Sequence, residues 1–426
     1  MKTFLVSNLK FRRKLVNKKT ILHFYYVLIA VFFTLQLLTY INWPGDQTWF
    51  AERARELNYD YLGFAFQRYE TWSSRLLIES ATMFFSVHYL LFDIALFISS
   101  YLFIFCFNEL VLKKEDIHLK FFTPILFVLL FSGEMFIGAG LIATVTNYYF
   151  PIVCLTVGMW LLNKQKTWGW ILGIPIFIFA VMQEQIAFYS FLLFGSIVVV
   201  DYFWKKSIVL PHVFSLVVSL FGVASAKLSP GSAVRLAEEI VAWYPEFNDL
   251  SLWQKIYYGF VETNRVLFVD LDLLVIPLLF LAVLILSILK KRYLSSGLSL
   301  LMLILTLGQQ LDIMTPFRTL KAMMANVREQ PPFVEDLYIW FFLILLLAVI
   351  VVVIFDVFAD QKIAISATII LIIGYGARML VSLSPTIYAS GVRTFMPLVF
   401  STLIVLSFLL KEIYQIIAPK MDRVID

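Results

Sequence analysis

An acidic residue in the position of a general base occurs early in the chain, in the segment 42–50. Asp46 follows a Pro-Gly pair and comes a few residues after a long apolar run. A carboxylate in such a place can accept the proton of an incoming hydroxyl group, which is the task of a general base. The alternative is that Asp46 is the N-cap of an amphipathic helix over 48–57, because aspartate is a favoured N-cap residue.

Three residues later in the same loop have helical spacing: Trp72, Arg75 and Glu79. On a helix they would share a face, since residues three and four apart are neighbours. One interpretation is an interfacial salt bridge between Arg75 and Glu79 beside a tryptophan anchor. The other is an arginine that Glu79 holds and directs towards an anionic ligand.

Polar residues also occur where predicted membrane spans end, as at Asn147 in Thr-Val-Thr-Asn and at Glu184 in Gln-Glu-Gln. Glu184 has only a very short connection around it and is therefore expected near the membrane boundary. Ionisable groups at that depth are costly and indicate a functional role. The alternative for Glu184 is a structural pair with an arginine of a neighbouring span.

Arginine recurs at helix ends that are predicted to lie outside. Arg235 closes the segment 229–235, where serine hydroxyls, a glycine and backbone amides before a helix could bind an anion. Arg393 begins the last predicted span, and Arg378 lies near the end of the span before it. Further basic residues of the fifth outer loop are Arg318, Lys321 and Arg328. A solvated arginine at a turn is common, but several on this side are unexpected under the positive-inside rule.

The elements that must position these residues are membrane helices. Hydrophobic residues make up 61% of the 426 residues and charged residues only 15%, whereas soluble chains are about one quarter charged. This composition excludes a soluble enzyme, a nucleic-acid reader and a disordered regulator. The two cysteines, Cys106 and Cys154, lie in apolar runs, and no histidine pair has ligand spacing. We therefore predict no disulfide framework and no metal site.

Apolar runs of spanning length predict a single all-α membrane domain over 1–426 with about twelve transmembrane helices of about 20 residues each. The runs lie near 21–41, 90–112, 120–138, 147–163, 168–182, 186–203, 208–227, 270–289, 296–314, 337–356, 361–381 and 392–411. The tail 1–20 carries seven Lys or Arg and no acidic residue, and basic clusters recur in alternate short connections. The positive-inside rule then places both termini in the cytoplasm. The long connections lie outside, and the first of them ends in an interfacial helix at 75–89. These connections are 42–89, 228–269 and 315–336.

A carboxylate base and several arginines at one water–lipid boundary suit a lipid-linked phosphate donor. Arginine binds phosphate with a planar fork and keeps its charge when partly desolvated. An incoming sugar hydroxyl needs the base, and the departing phosphate needs the cations. The apolar spans would provide a groove for a polyprenyl tail. No sugar nucleotide is expected outside a cell, so the donor should already be membrane-borne.

The chain resembles bacterial GT-C-type integral-membrane glycosyltransferases in five separated pieces. These are Gly45-Asp46-Gln47, Trp72-Ser-Ser-Arg75, Asn147-Tyr148, the segment 229–235, and Ser384-Pro385 with Arg393. The resemblance implies a GT-C-like fold in the bacterial cell membrane, whose large first outer loop carries interfacial helices. It also implies transfer of a sugar from a polyprenyl-phosphate donor to a cell-surface glycan or lipid-linked acceptor at the outer face.

Carried over to this sequence, the resemblance implies that Asp46 is the base of an inverting transfer. Arg75, Arg235 and Arg393 would contact the donor phosphate. The residues expected to position the substrate are Glu184, Asn147, Trp72 and Glu79. Family members often have two adjacent acids in the first loop, whereas Gln47 follows Asp46 here. We therefore expect no metal and no cofactor.

Two other functions remain open from the sequence. A glycan polymerase or ligase that uses pyrophosphate-linked oligosaccharides would also gather arginines in outer loops. A transporter or flippase of lipid-linked sugars would depend on broken helices near the middle of the membrane. In this chain the polar residues are concentrated on one predicted face, and Asp93 is the main charged residue within a span.

Overall fold

The protein is helical throughout the part of the chain that the structure describes. The structure is a computed structural model that describes residues 2–311, 315–327 and 333–425, with side chains at 18–309, 311, 316–327 and 333–418. Within these ranges there is no β-strand, and the prediction of an all-α chain is confirmed. Arg328 and the basic side chains of the amino-terminal tail before Lys18 lie outside the described residues.

The amino-terminal half begins with a long helix, continues with three helices of the first predicted outer loop, and then enters the helical bundle. The bounds are α1 Lys2–Leu38, α2 Asp46–Glu56, α3 Tyr61–Thr71, α4 Leu76–Val87, α5 Tyr89–Val111, α6 Thr123–Leu130, α7 Leu141–Thr144, α8 Phe150–Leu162, α9 Thr167–Val181 and α10 Glu184–Trp204. A π-helical segment, Val145–Tyr149, joins α7 to α8. Together these three form one long helix, Leu141–Leu162.

The carboxy-terminal half alternates long apolar helices with shorter ones in the other two long loops. The bounds are α11 Leu210–Leu228, α12 Pro230–Trp243, α13 Leu252–Asn264, α14 Val275–Lys290, α15 Tyr293–Gln310, α16 Thr315–Ala325, α17 Phe333–Val357, α18 Gln361–Met379 and α19 Met396–Ile425. A second π-helical segment, Arg265–Asp270, extends α13.

Eight helices of the described chain are long and apolar enough to cross a membrane by length and composition. They are Lys18–Leu38, Tyr89–Val111, Leu141–Leu162, Glu184–Trp204, Leu210–Leu228, Phe333–Val357, Gln361–Leu383 and Gly391–Ala418. Leu252–Asp270 and Val275–Lys290 meet at 62° and would make a ninth if they form one broken span. Three other predicted spans coincide with shorter apolar helices: Leu119–Leu130, Thr167–Val181 and Tyr293–Gln309. A multi-pass helical protein is supported, and the count of about twelve spans stays a prediction.

Contacts between distant polar residues occur at the two opposite ends of the bundle. At one end Lys411 lies 3.2 Å from Asp116, and Lys290 contacts Glu412 at 2.6 Å. These pairs join segments that the charge pattern predicts to be cytoplasmic. The three long loops, which are predicted to lie outside, meet one another at the other end. The contacts therefore agree with the alternation of inner and outer connections that the charge pattern predicts. The orientation of the bundle in a membrane stays a prediction.

The first long loop forms three helices that pack on one another and on α12. Its predicted interfacial helix at 75–89 corresponds to α4, which His88 separates from α5. The amphipathic helix expected over 48–57 begins two residues earlier, at Asp46, and its N-cap is Gly45. The interpretation of Asp46 as that helix's N-cap is therefore wrong, because Asp46 is the first helical residue and makes no side-chain capping bond.

Candidate functional site

The position of Asp46 is determined by a close backbone approach between the first loop and the turn before α7. A Cβ atom on Gly45 would lie 2.3 Å from the backbone of Gly140, so only glycine fits there. The Asp46 amide donates a hydrogen bond to the Ala139 carbonyl at 2.9 Å. Gly140 itself has a φ of +81°, a conformation that favours glycine. The carboxylate is thereby held at the edge of the bundle rather than on a free loop.

Gln47 holds this junction with its side-chain amide. Its nitrogen donates to the Ile41 carbonyl at 2.8 Å, and its oxygen accepts from the Ile142 amide at 3.1 Å. The side chain is buried. An acid here would lack the donor for the Ile41 carbonyl, whereas Gln47 connects the Ile41 and Ile142 backbone segments.

Asp46 borders a cavity of about 400 Å³ that Arg68, Trp72 and Glu238 also line. Solvent reaches the carboxyl group through this cavity. Burial by the surrounding protein raises the pKa of Asp46, while the Arg393 and Arg68 guanidinium groups act to lower it. An aspartate with a raised pKa is a stronger proton acceptor than an ordinary surface aspartate, which suits a general base.

Arg68 joins this site although the sequence did not single it out. Its Nε donates to Glu79 at 3.1 Å, and Ser73 donates to the other oxygen of Glu79 at 3.1 Å. The guanidinium carbon lies 4.7 Å from the centre of the Trp72 ring. Burial lowers the pKa of Arg68, and Glu79 opposes that shift. The spacing of Arg68 and Trp72, four residues apart, was the signal that could have found it.

The pairing of Arg75 with Glu79, common to both sequence interpretations, is wrong. Arg75 is 8% exposed and donates to Glu184 through Nε at 3.2 Å and through a terminal nitrogen. Its other terminal nitrogen donates to Asn147 at 3.0 Å. Burial alone would lower the pKa of Arg75, but the Glu184 carboxylate raises it above its usual range. The reason for the error is that Arg75 is the N-cap of α4, with a non-helical φ of −84° and ψ of 47°, and that Glu79 already accepts from Arg68 and Ser73.

Asn147 reaches Arg75 from the π-helical segment within the long helix Leu141–Leu162. Its amide nitrogen donates to the Ala143 carbonyl at 2.9 Å, which leaves its oxygen to accept from Arg75. Single π-helical turns inside α-helices occur frequently at functional sites. Here the π-helical turn places Asn147 beside Arg75 and the next residue, Tyr148, near Arg393.

Arg235 completes the surroundings of Glu184 and Trp72. Its Nε donates to Glu239 at 2.8 Å, and a terminal nitrogen lies 3.8 Å from Glu184. Its guanidinium carbon lies 5.9 Å from the Trp72 ring centre. Trp72 therefore contacts two guanidinium groups, those of Arg68 and Arg235.

The anion site expected in the segment 229–235 is not formed as predicted. Ser229 donates its hydroxyl hydrogen to the Tyr69 carbonyl at 3.2 Å. A Cβ atom on Gly231 would lie 2.2 Å from the Trp72 amide nitrogen. The segment instead packs the start of α12 onto the loop before Arg75, and this contact brings Arg235 to the site.

Arg393 approaches the same region from the carboxy-terminal part of the chain. Its guanidinium carbon lies 5.9 Å from the Tyr148 ring centre, and a Cβ atom on Gly138 would lie 3.0 Å from its terminal nitrogen. It is the largest electrostatic partner of Asp46. Its buried Nε has no hydrogen-bond partner among the described residues.

Arg378 is 1% exposed and lies over the Phe395 ring at 4.5 Å. Its buried Nε and one terminal nitrogen have no hydrogen-bond partner in the described structure. Glu262 and Tyr148 are close enough to interact with it electrostatically, yet neither supplies those bonds. A buried cation with unmet donors is costly, and Arg378 is therefore a candidate for binding an anion.

An apolar slot of about 160 Å³ lies between α14, α17 and α18, and Leu371 and Tyr375 line it. Arg378 lies three residues after Tyr375 on α18. The spacing of Leu371, Tyr375 and Arg378 places them on one helix face. The slot therefore ends one helical turn from the buried guanidinium group.

The five pieces of sequence that carry the resemblance thus meet at one end of the bundle. Trp72, Arg75, Asn147, Glu184 and Arg235 lie in one connected set of contacts, with Glu79 joined through Arg68. Asp46 lines a cavity with Arg68 and Trp72, and Arg393, which lies by the Tyr148 ring, interacts with Asp46 electrostatically. No three His, Cys, Asp or Glu side chains are grouped to hold a metal ion within the described ranges. Comparison with protein-family models, with curated proteins and with solved structures found no match.

Proposed function

We propose that the protein is a membrane glycosyltransferase that moves a sugar from a polyprenyl-phosphate donor to a cell-surface glycan or lipid-linked acceptor. The observation that carries this proposal is the pair Arg378 and Arg393, whose buried guanidinium nitrogens lack hydrogen-bond partners among the described residues, while Arg393 interacts electrostatically with Asp46. An anion bound there would satisfy the donors, and phosphate matches the planar fork of arginine.

The cations of the site divide into two kinds. Arg75 and Arg235 contact carboxylates already, whereas Arg393 and Arg378 have donors to offer. In the proposal the second pair binds the donor phosphate directly. Arg75 and Arg235, assigned to phosphate by the resemblance, contribute positive charge around it and orient Glu184 towards the sugar. Asn147 and Trp72 then form the polar and aromatic walls of the sugar site, and Glu79 holds Arg68 against Trp72.

The reaction is a single displacement with inversion. An acceptor hydroxyl oxygen attacks the anomeric carbon, and its proton passes to the carboxylate of Asp46. The bond from the anomeric carbon to the phosphate oxygen breaks, and its electron pair leaves with polyprenyl phosphate. Arg393 and Arg378 stabilise the charge that develops on the leaving oxygen. One carboxylate suffices because no covalent sugar intermediate forms.

The donor's tail has a place next to these cations. The apolar slot between α14, α17 and α18 reaches Tyr375, one helical turn from Arg378, so a tail in the slot would bring its phosphate towards the guanidinium group. The proposal includes a GT-C-like arrangement of about twelve spans, with this end of the bundle at the outer face of the cell membrane and both termini inside.

The test is sugar transfer by the purified protein in proteoliposomes, with a panel of radiolabelled undecaprenyl-phosphate hexoses and membrane glycans as acceptor. Asp46→Asn is expected to lower transfer by about 10²- to 10⁴-fold, the usual contribution of a general base. Asp249→Asn is the matched control, since Asp249 is an exposed aspartate of another predicted outer loop. Full transfer by the Asp46→Asn protein would remove the base assignment.

Transport of a lipid-linked sugar is the second candidate, and one observation favours it. The helices Leu252–Asp270 and Val275–Lys290 meet at 62° across a short break, and broken helices form the substrate sites of many transporters. The same proteoliposomes distinguish the two functions. Movement of a fluorescent undecaprenyl phosphate between leaflets that persists in the Asp46→Asn protein, without any sugar transfer, would establish transport instead.

A further inference from the structure

A second cavity lies at the same end of the bundle, between the start of α13 and the start of α17. It has a volume of about 430 Å³ and is lined by Trp253, Tyr257, Trp340, Gln254 and Asp336 among others. That volume falls within the range of about 300–1,000 Å³ found for small-molecule sites. None of these residues belongs to the site around Asp46.

Three rings form one side of this cavity, here called the aromatic wall: Trp253, Tyr257 and Trp340. Trp253 and Trp340 are nearly parallel, with ring centres 5.3 Å apart and planes at 11°. Tyr257 and Trp340 are 5.4 Å apart at 16°. Trp253 is 63% exposed, so a broad ring face remains open to a ligand.

Polar groups lie beside the aromatic wall. The Tyr257 hydroxyl donates to Asp336 at 2.6 Å, which uses one of the several acceptor positions of a carboxylate. The Gln254 oxygen accepts from the backbone and side chain of Ser251, both at 2.9 Å. The amide nitrogen of Gln254 remains a donor for a ligand. The described residues of the lining include this carboxylate but no lysine or arginine, so they do not suit an anionic headgroup.

The aromatic wall is connected to the proposed transfer site by α13. Gly259, two residues after Tyr257, packs so closely on Ser382 that a Cβ atom would lie 1.7 Å from its hydroxyl. Further along α13, Glu262 interacts electrostatically with Arg378. At a rise of about 1.5 Å per residue, Trp253 and Tyr257 lie about 8 to 14 Å along the helix from Glu262. A short oligosaccharide could span that distance.

We infer that the aromatic wall with Asp336 and Gln254 binds an uncharged glycan, and that this glycan is the acceptor. The ring faces carry negative charge density and attract the polarised C–H bonds of a pyranose face. Asp336 accepts hydrogen bonds from sugar hydroxyls, and Gln254 donates to them. Only the identification of the glycan as the acceptor rests on the proposed function, because binding itself requires no transfer.

Membrane lipid is the competing occupant, since tryptophan is common where helices leave a membrane. The test uses the full-length protein in nanodiscs and four soluble probes: cellotetraose, maltotetraose, chitotetraose and mannotetraose. Saturation-transfer NMR detects the binding, and a titration gives its dissociation constant. We expect saturation transfer to the ring protons of at least one tetrasaccharide. No transfer to any of the four would overturn the inference.

A set of variants distinguishes stacking of the sugar on Trp253 from the general effect of removing an exposed tryptophan. Trp253→Ala is expected to weaken binding of the tetrasaccharide about tenfold or more, as for a central aromatic contact. Trp253→Phe should restore most of it, and Asp336→Asn should weaken it with the fold intact. Trp243→Ala is the control, because Trp243 is 59% exposed on α12 and lies outside the cavity. Equal affinities for Trp253→Ala and Trp243→Ala would contradict the aromatic wall as the site.

Two further measurements distinguish the failure of this inference from failure of the proposed function. The Asp46→Asn protein should bind the tetrasaccharide normally, whatever becomes of transfer. In a transfer assay, Trp253→Ala should raise KM for the acceptor and leave KM for the donor unchanged. Transfer with an unchanged acceptor KM would reject the inference alone. Quenching of Trp253 fluorescence by brominated lipid tails, undiminished by tetrasaccharide, would assign the surface to lipid.

Discussion

Replacing Arg378 by methionine should stabilise the empty protein while it removes phosphate binding. Two buried donors of Arg378 have no partner within the described chain, and each unmet buried group costs about 1–3 kcal/mol. The contact with the Phe395 ring at 4.5 Å offsets about 2 kcal/mol of this cost. Because methionine fills much of the same volume without polar atoms, the expected net gain in unfolding free energy is about 2 kcal/mol, within a range of about 0–4 kcal/mol.

Arg75→Met is the matched variant, and it should have the opposite sign. Arg75 is also buried, but it contacts Glu184 and Asn147. Removing it leaves the Glu184 carboxylate with a longer contact to a guanidinium group, that of Arg235 at 3.8 Å. Loss of one partner of a buried pair costs about 3–5 kcal/mol. The same substitution is thus expected to raise the free energy of unfolding at Arg378 and to lower it at Arg75.

The assay is thermal unfolding in nanodiscs with and without undecaprenyl phosphate. A ligand that binds only the folded protein adds about 2.7 kcal/mol at one hundred times its dissociation constant. The wild-type midpoint should rise with ligand, whereas the Arg378→Met midpoint should begin higher and not move. If Arg378→Met unfolds as early as Arg75→Met, the donors of Arg378 are satisfied within the protein and the reasoning is refuted. A full ligand shift in Arg378→Met would refute the phosphate assignment.

Four other predictions concern the site. Burial raises the pKa of Asp46, so the transfer rate should fall with decreasing pH while the pH is still above the ordinary aspartate value of 3.8. Because the pKa of Asp46 is raised in the folded protein, deprotonation of Asp46 lowers the free energy of unfolding as the pH rises. Asp46→Asn should therefore unfold no earlier than wild type at pH 7, and earlier unfolding in a melting curve would contradict this. Gln47→Glu should cost about 1–3 kcal/mol because the donor to the Ile41 carbonyl is lost, and denaturation in detergent measures it. Gly231→Ala should separate α12 from the Trp72 backbone, since a Cβ atom there meets the backbone at 2.2 Å. It should lower the rate of transfer more than it lowers the free energy of unfolding, and unchanged transfer would show that this contact does not position the site.

Local patterning allowed much of the fold to be predicted. The runs expected at 90–112 and 186–203 correspond to α5, Tyr89–Val111, and α10, Glu184–Trp204, within two residues. A membrane span needs a continuous apolar stretch, and this is a property of neighbouring residues alone. Length was harder to predict: the run expected at 120–138 corresponds to the shorter apolar helix Leu119–Leu130, because hydropathy averaged over a window extends beyond the residues that form the helix.

The residues that could carry out chemistry could also be identified from the sequence, since arginine and carboxylate residues are rare in an apolar chain. The sequence could not assign Arg378 and Arg393 a special status among the arginines. Whether a guanidinium group has a partner depends on what packs around it, and Arg378 is surrounded by α13, the residues before α19 and the long helix Leu141–Leu162. Tyr148, close to both arginines, was part of a recognised motif but had no assigned role.

The sequence by itself determined that this chain folds into apolar helices, and it determined which segments carry a carboxylate or an arginine. Only the tertiary structure decided the pairs. Arg75 binds Glu184, 109 residues away, rather than Glu79, four residues away, because Arg75 precedes the first turn of α4 with a non-helical backbone and Glu79 is bound by Arg68 and Ser73. Spacing along a chain implies proximity only within one regular element, and between elements the packing of loops and helices selects the partner.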